Sequence, residues 1–379
     1  MHFSDVLVGI SCLSTLAAAA PFTVNTDYVA LATATNTEAL GAIQTAAHGS
    51  LSNITPPKFL NGGKVSLSVF QSVAFNENSE VAFFEELLFN ISTNVPGFQF
   101  ATTDLRNEAL LNINAIVAQE KLHQINANKA IARFSNDTSA IILPCKYDFP
   151  VTSFDSALEE AGIFTSLVMA TLQQAIVALG TNGDGNLSRG VAASLGQEGQ
   201  QDGFFRAKQG LIAPEGPFIT ASTPDYLINF LVQNYIVPGS CPNLNTIPFA
   251  PWQPLTFTGA SREWSQLDQL SFKFTLSATQ SAKDFGTNFG DLALVYVNQQ
   301  NTPIQKPFKN VAVSANGKEV SFDVDFPHDG AGVNEGLVLV SVVSTKVNQL
   351  TNVVDAAKAT LFGPFVIEVF TESQVQDQY

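Results

Sequence analysis

The chain has 379 residues, 45% of them hydrophobic and only 13% charged, with a formal net charge of −15. That is enough apolar material for two packed domains and too little polar bias for long disordered stretches. No cluster of Lys and Arg is present, which excludes nucleic acid and an anionic membrane surface as expected partners.

The first 19 residues read as a secretory signal peptide. Val6 to Ala20 is apolar and ends in four alanines, and a cut after Ala19 satisfies the small-x-small rule. The run is too short to span a membrane, and no later stretch reaches about 18 uninterrupted apolar residues. A soluble, secreted protein is therefore expected. Cys12 leaves with the leader, and in an oxidising compartment the remaining Cys145 and Cys241 most simply pair. Asn53, Asn90, Asn136 and Asn186 each begin an Asn-x-Ser/Thr sequon and are candidate glycosylation sites.

Residues 20–63 form a small, polar arm with a short helix expected around Thr37–Ala47. A helical domain follows over 64–237. Its first helix is expected from Ser66 to Ile91, where Val69, Val73, Glu77, Glu80, Phe84 and Leu87 recur at spacings of four and three. Carboxylates on an apolar stripe are unexpected, because unpaired buried charge is costly. Asn76, Asn78 and Ser79 are poor helix formers, which predicts a loosened helix near Glu77.

The second helix is expected from Asp104 to Phe134, with Ile113, Ile116, Glu120, His123, Ala127 and Ile131 on one stripe. Glu120 and His123 are three residues apart and so lie about one turn apart on one face. The bland alternative is a buried histidine hydrogen-bonded to Glu120. The third helix is expected from a Ser153 cap to Leu179, with Glu159 sharing a stripe with Ile163, Ser166, Ala170 and Gln173. The Asn182–Ser188 stretch loosely resembles a calcium loop, but it lacks glycine at the sixth position and has Ala193 at the twelfth, so it reads as a turn. The fourth helix is expected from Arg189 to Ile212, with Glu198 and Gln201 repeating the three-residue spacing. A shorter helix is expected over 226–235.

Residues 238–254 are a proline-rich crossing, and after it the apolar period becomes two. Leu270/Phe272/Phe274/Leu276 and Val320/Phe322/Val324/Phe326 alternate, and Asn316-Gly317 marks a hairpin turn. About seven short strands over 255–372 predict an antiparallel, immunoglobulin-like sandwich. Asp323, Asp325 and Asp329 alternate with apolar residues and are expected to face solvent.

Taken together, the four helices offer Glu77 (with Glu80 as the alternative), Glu120 with His123, Glu159, and Glu198 with Gln201. One carboxylate from each of two helices and Glu-x-x-His from each of the other two is the pattern of dinuclear carboxylate sites in four-helix bundles. Gln201 departs from it, since the pattern asks for His there and an amide oxygen is a weaker ligand for transition metals.

Phe75–Phe84, Gln119–His123, Leu158–Gly162 and Ser194–Arg206 carry a resemblance. Over about residues 60–235 the chain resembles the secreted ferritin-like proteins of fungi, the late sexual development or stress-response proteins, which are related to plant desiccation-related proteins. The resemblance implies a ferritin-like bundle and no settled activity; the carboxylate pattern is expected to hold one or two iron or manganese ions, or none. Two functions are expected from it. The first is a mainly non-enzymatic extracellular protein with a degenerate carboxylate site and a cell-wall or extracellular protein partner. The alternative is a working metal-binding protein with oxidative or peroxide chemistry. A hydrolase is disfavoured: there is no Gly-x-Ser-x-Gly and no His-Glu-x-x-His.

Overall fold

The computed structural model describes residues 22–375 other than 23, 34–36, 55–56, 58–59, 260–266, 329–332, 334, 348 and 371–374. The expected leader and Asp329 lie outside the described residues. The fold is α+β, with helices in the N-terminal half followed by two antiparallel sheets. The helices are α1 (Thr37–Ala46), α2 (Lys64–Ser92), α3 (Thr103–Ser135), α4 (Phe154–Thr181), α5 (Ser188–Lys208) and α6 (Pro224–Asn234).

Four of these are long and lie side by side: α2 packs on α3, α4 on α5, and α2 on α4. Ser153 caps α4 as its chemistry predicts, its Oγ accepting the Ser156 N–H at 3.1 Å. The last long helix stops at Lys208, earlier than expected, because Gly210 turns the chain at φ +77°. Helix α2 is unbroken, contrary to the loosening expected around Glu77. Its poor helix formers are held by tertiary bonds: Asn78 Nδ2 donates to the Ile142 carbonyl at 3.2 Å, and Tyr28 donates to Asn78 Oδ1 at 3.1 Å. Packing and hydrogen bonding override propensity here.

The core of this half is aromatic. Phe83, Phe84, Phe164 and Phe205 are all essentially inaccessible, and burying each contributes about 1.5–3 kcal/mol. Helix α4 is long and apolar enough to cross a membrane by composition alone, but most of it is buried as the core helix.

The strands are β1 (Leu255–Phe257), β2 (Gln269–Thr275), β3 (Leu292–Asn298), β4 (Ile304–Pro307), β5 (Lys309–Val313), β6 (Glu319–Asp325), β7 (Gly336–Ser344) and β8 (Thr360–Val369). A short helix α7 (Val353–Ala359), which has no counterpart in the sequence reading, precedes β8. One sheet has the order β1-β2-β6-β5 and the other β4-β3-β7-β8. Phe272 faces Phe322 across the first pair. Gly317 (φ +73°) makes the β5–β6 turn where Asn316-Gly317 places it.

The two sheets differ in what they touch. In β2 and β6 alternate residues are buried and the others open. In β3 and β7 nearly every residue is buried. One face of that sheet packs on the other sheet, and its opposite face (Ala293, Val295, Val297, Leu337, Leu339) joins the helical core. The molecule thus has three layers: helices, inner sheet, outer sheet. The proline-rich crossing packs down as well, with Ile247 and Trp252 buried in the helical core. Cys145 and Cys241 are joined by a disulfide between the α3–α4 loop and this crossing.

Candidate metal centre

Three of the four long helices bring polar groups to one buried point. Glu77 and Glu80 come from α2, Glu120 and His123 from α3, and Glu198 and Gln201 from α5. All four carboxylate side chains have no accessible surface. The His123 Nδ1 lies 3.1 Å from Glu120 Oε2, 3.2 Å from Glu198 Oε1 and 3.5 Å from Glu77 Oε2. One ligand atom from each of these four residues falls within 4.8 Å of every other.

A single ring nitrogen carries at most one proton, so it can donate to only one of three carboxylates. Beyond the contacts within the cluster, both oxygens of Glu77 and of Glu198, and Oε1 of Glu80, have no hydrogen-bond partner. Such orphaned buried acceptors are rare in folded proteins and demand a compensating group. Octahedral ligands at about 2.1 Å from an ion sit about 3.0 Å apart when adjacent and about 4.2 Å apart when opposite. The observed separations have that scale.

Electrostatics says the same. Burial, outweighing the opposing pull of His123 and aided by Glu120, pushes Glu77 up to about 7. Burial and then Glu120 push Glu198 up to about 8. Glu80 is raised well above the usual range by burial and by Glu198, Glu120 and Glu77. For His123, burial favours the neutral ring, but Glu120 and Glu77 outweigh it and raise its pKa well above the ordinary value. Without a further cation the cluster must therefore retain protons near neutral pH.

Gln201 is buried at the edge of the cluster. Its Nε2 donates to Glu120 Oε1 and, at 3.3 Å, to Gln119 Oε1, while its own Oε1 has no hydrogen-bond partner. Gln124, one residue after His123, is fully buried and neither of its amide atoms has a hydrogen-bond partner. Sequence reasoning missed Gln124. Its neighbours Glu120, Lys121, His123, Asn126 and Asn128 are polar as well, so nothing in the sequence sets it apart.

Glu159 is a correction. It is exposed on α4 and absent from the cluster. It sits in the second turn of α4, whereas Glu77, Glu120 and Glu198 occupy the middles of their helices. At 1.5 Å per residue that leaves it about 12 Å short of the matching depth. Helix α4 supplies no carboxylate there. Glu80, one turn from Glu77, is the fourth carboxylate of the site.

The other sequence-marked positions fall elsewhere. Asp184 is not poised for calcium: its two oxygens accept the backbone N–H groups of Asn61 and Gly62, each at 2.8 Å. The loop is a clasp on the start of α2. Asn53, Asn136 and Asn186 are exposed, while Asn90 lies half-buried inside α2. Asp323 and Asp325 are half-buried. Asp323 accepts from Ser271 at 2.6 Å and Asp325 pairs with Lys309 at 2.6 Å.

No protein-family model matches the chain, and no curated protein sequence matches it.

Proposed function

We propose that this protein binds one divalent transition-metal ion, manganese or ferrous iron, between Glu77, Glu120, His123 and Glu198, with Glu80 beside it. The observation that carries the reading is the convergence of three carboxylates from three helices on the single His123 Nδ1, with the other oxygens of Glu77 and Glu198 orphaned. An oxygen-rich set with one imidazole suits manganese or ferrous iron better than a soft metal. Such an ion, when bound, supplies Lewis acidity and one-electron redox capacity. The chain's own residues hold it, exclude water and keep charge balanced.

The helical half is read as a ferritin-like bundle of the secreted fungal type. Four long helices with inward carboxylates on three of them support that reading. The order β1-β2-β6-β5 against β4-β3-β7-β8 supports an immunoglobulin-like sandwich. The apolar leader, the disulfide and the three exposed sequons support secretion and glycosylation. A second reading, an extracellular scaffold without a reaction of its own, is favoured by one observation. Gln201 spends its N–H on Glu120, where the two-metal pattern has a second imidazole.

The test is metal analysis after reconstitution with manganese or iron. The parent should retain one equivalent through dialysis, and the Glu120→Ala/His123→Ala variant should retain none. A parent that holds no iron, manganese or zinc refutes the metal reading and leaves the scaffold.

A further inference from the structure

A cavity of about 170 Å³ lies between α2, α4 and α6, on the side of α2 that carries Asn76. Its mouth is marked by Val65, at the start of α2, and by Pro248, both exposed. About three helical turns further along α2 it reaches Asn76, which is 2% exposed. The walls are mainly aliphatic, with Val69, Val168, Leu172 and Leu227 the large contributors.

Asn76 is the one amide side chain at the buried end. Its Nδ2 donates to Glu80 Oε2 at 2.6 Å, which fixes which way the amide points. Its Oδ1 is buried and accepts no hydrogen bond. Of the other polar groups of the wall, Ser68 donates to the Val65 carbonyl and Thr171 to the Leu167 carbonyl, while Ser72 and Gln174 also line it. So the cavity offers mainly aliphatic walls and, at Asn76, a buried acceptor without a partner.

We propose that this cavity is a binding site for a small neutral molecule with an apolar body and a single hydroxyl donor, of the size of phenol, whose hydroxyl donates to Asn76 Oδ1. The volume sets the size, because an apolar cavity of about 150 Å³ accommodates benzene and one well below about 300 Å³ is too small for a drug-sized ligand. The orphaned oxygen sets the head group, because a buried acceptor without a partner costs more than the bond itself returns. An ammonium head is disfavoured, since it would have to shed its hydration among aliphatic walls. The site goes beyond metal binding and does not rest on it. Through Asn76 it places its ligand two hydrogen bonds from Glu80.

The test is a calorimetric titration of the metal-free protein with phenol and, separately, with benzene. Phenol should bind saturably, about two- to tenfold more tightly than benzene, the range one neutral hydrogen bond supplies. Asn76→Ala should erase that preference while leaving benzene binding in place. Ala175→Leu, which fills the cavity wall, should abolish both. Should either variant fail to fold, nuclear Overhauser contacts in the parent protein decide instead. Contacts from phenol ring protons to the methyl groups of Val69, Val168, Leu172 and Leu227 uphold the site. No saturable binding, equal affinity for benzene and phenol, or contacts to other methyl groups overturn it.

Discussion

Two buried acidic clusters lie close together on α5, and they solve the same problem differently. At the metal centre, Glu77, Glu80, Glu120 and Glu198 surround one imidazole. Toward the end of α5, Asp202, Glu215 and Glu368 surround Arg206, which is fully buried. Arg206 donates from one terminal nitrogen to Glu368 at 2.6 Å and from Nε to the Ile212 carbonyl at 3.2 Å. Glu215 accepts the Leu337 N–H at 3.0 Å. A guanidinium is permanently charged and has five donors, whereas an imidazole has two and titrates. The Arg206 cluster carries its own cation and ties α5 to β8 and β7. The His123 cluster has acceptors in excess and no fixed charge to meet them. On this contrast the Arg206 cluster is a structural joint, and the His123 cluster is the proposed place for an ion.

Removing the built-in cation gives the largest expected effect. Arg206→Met leaves three buried carboxylates beside an apolar side chain. Breaking a buried ion pair by deleting one partner costs about 3–5 kcal/mol. Burial already pushes Glu368 up to about 7 even with Arg206 beside it. Urea unfolding followed by far-ultraviolet dichroism should show an unfolding free energy lower by that amount and a correspondingly lower midpoint. An unchanged midpoint would remove the contrast between the clusters.

The pH dependence separates them next. In the metal-free fold, Glu77 and Glu198 keep protons up to about pH 7 and 8, whereas in the unfolded chain they release them near 4.3. Between those limits the native state binds more protons, so stability falls as pH rises. His123, also raised in the fold, contributes stability below about pH 6.5 and loses it as pH climbs through its higher folded value. Both act in one direction. The metal-free protein should melt lower at pH 8.5 than at pH 5.5, by on the order of 5 °C. Manganese competes with those protons, so the stabilisation it confers should grow over the same range. Calorimetric melting with and without manganese reads both slopes. A metal-free melting temperature that rises with pH would contradict the proton inventory of the cluster.

Gln201→His asks whether the amide stands where a second imidazole would serve. Gln201 is buried and already contacts Glu120, and Glu198 is one turn away on the same helix. An imidazole at this position should raise bound manganese from one equivalent toward two, or tighten the first by about tenfold. Elemental analysis and competitive chelation distinguish these outcomes, and neither change would mean that the amide plays no part in metal capacity.

Much of this arrangement is legible in the sequence. Helices α3 and α5 have mixed faces, and α2 sets its acids in an apolar-periodic run although Ala74–Phe84 is buried on every face, so the carboxylates stand out, and Glu77, Glu80, Glu120 and Glu198 all meet. The outer sheet is legible for the same reason, because β2 and β6 alternate. Two features are not. Strands β3 and β7 are apolar on both faces because helices cover the inner sheet, and a period of two is silent about a third layer. In α4 nearly every face is buried, so no stripe marks the inward line. Periodicity also gives a residue's angle around a helix and not its depth along it. Glu159 has a plausible angle but the wrong depth.

Glu159→Gln should accordingly change least. The side chain is exposed in the second turn of α4, and the substitution removes charge without altering volume. Surface changes of this kind usually stay within about 0.5 kcal/mol. Manganese affinity and stoichiometry should equal the parent's, whereas Glu80→Gln, on the same stripe of α2 as Glu77 and inside the cluster, should lower the affinity. Equilibrium dialysis of the two variants side by side is a direct measurement. If Glu159→Gln released the metal and Glu80→Gln kept it, the fourth carboxylate would belong to α4 after all, and the depth argument would fail.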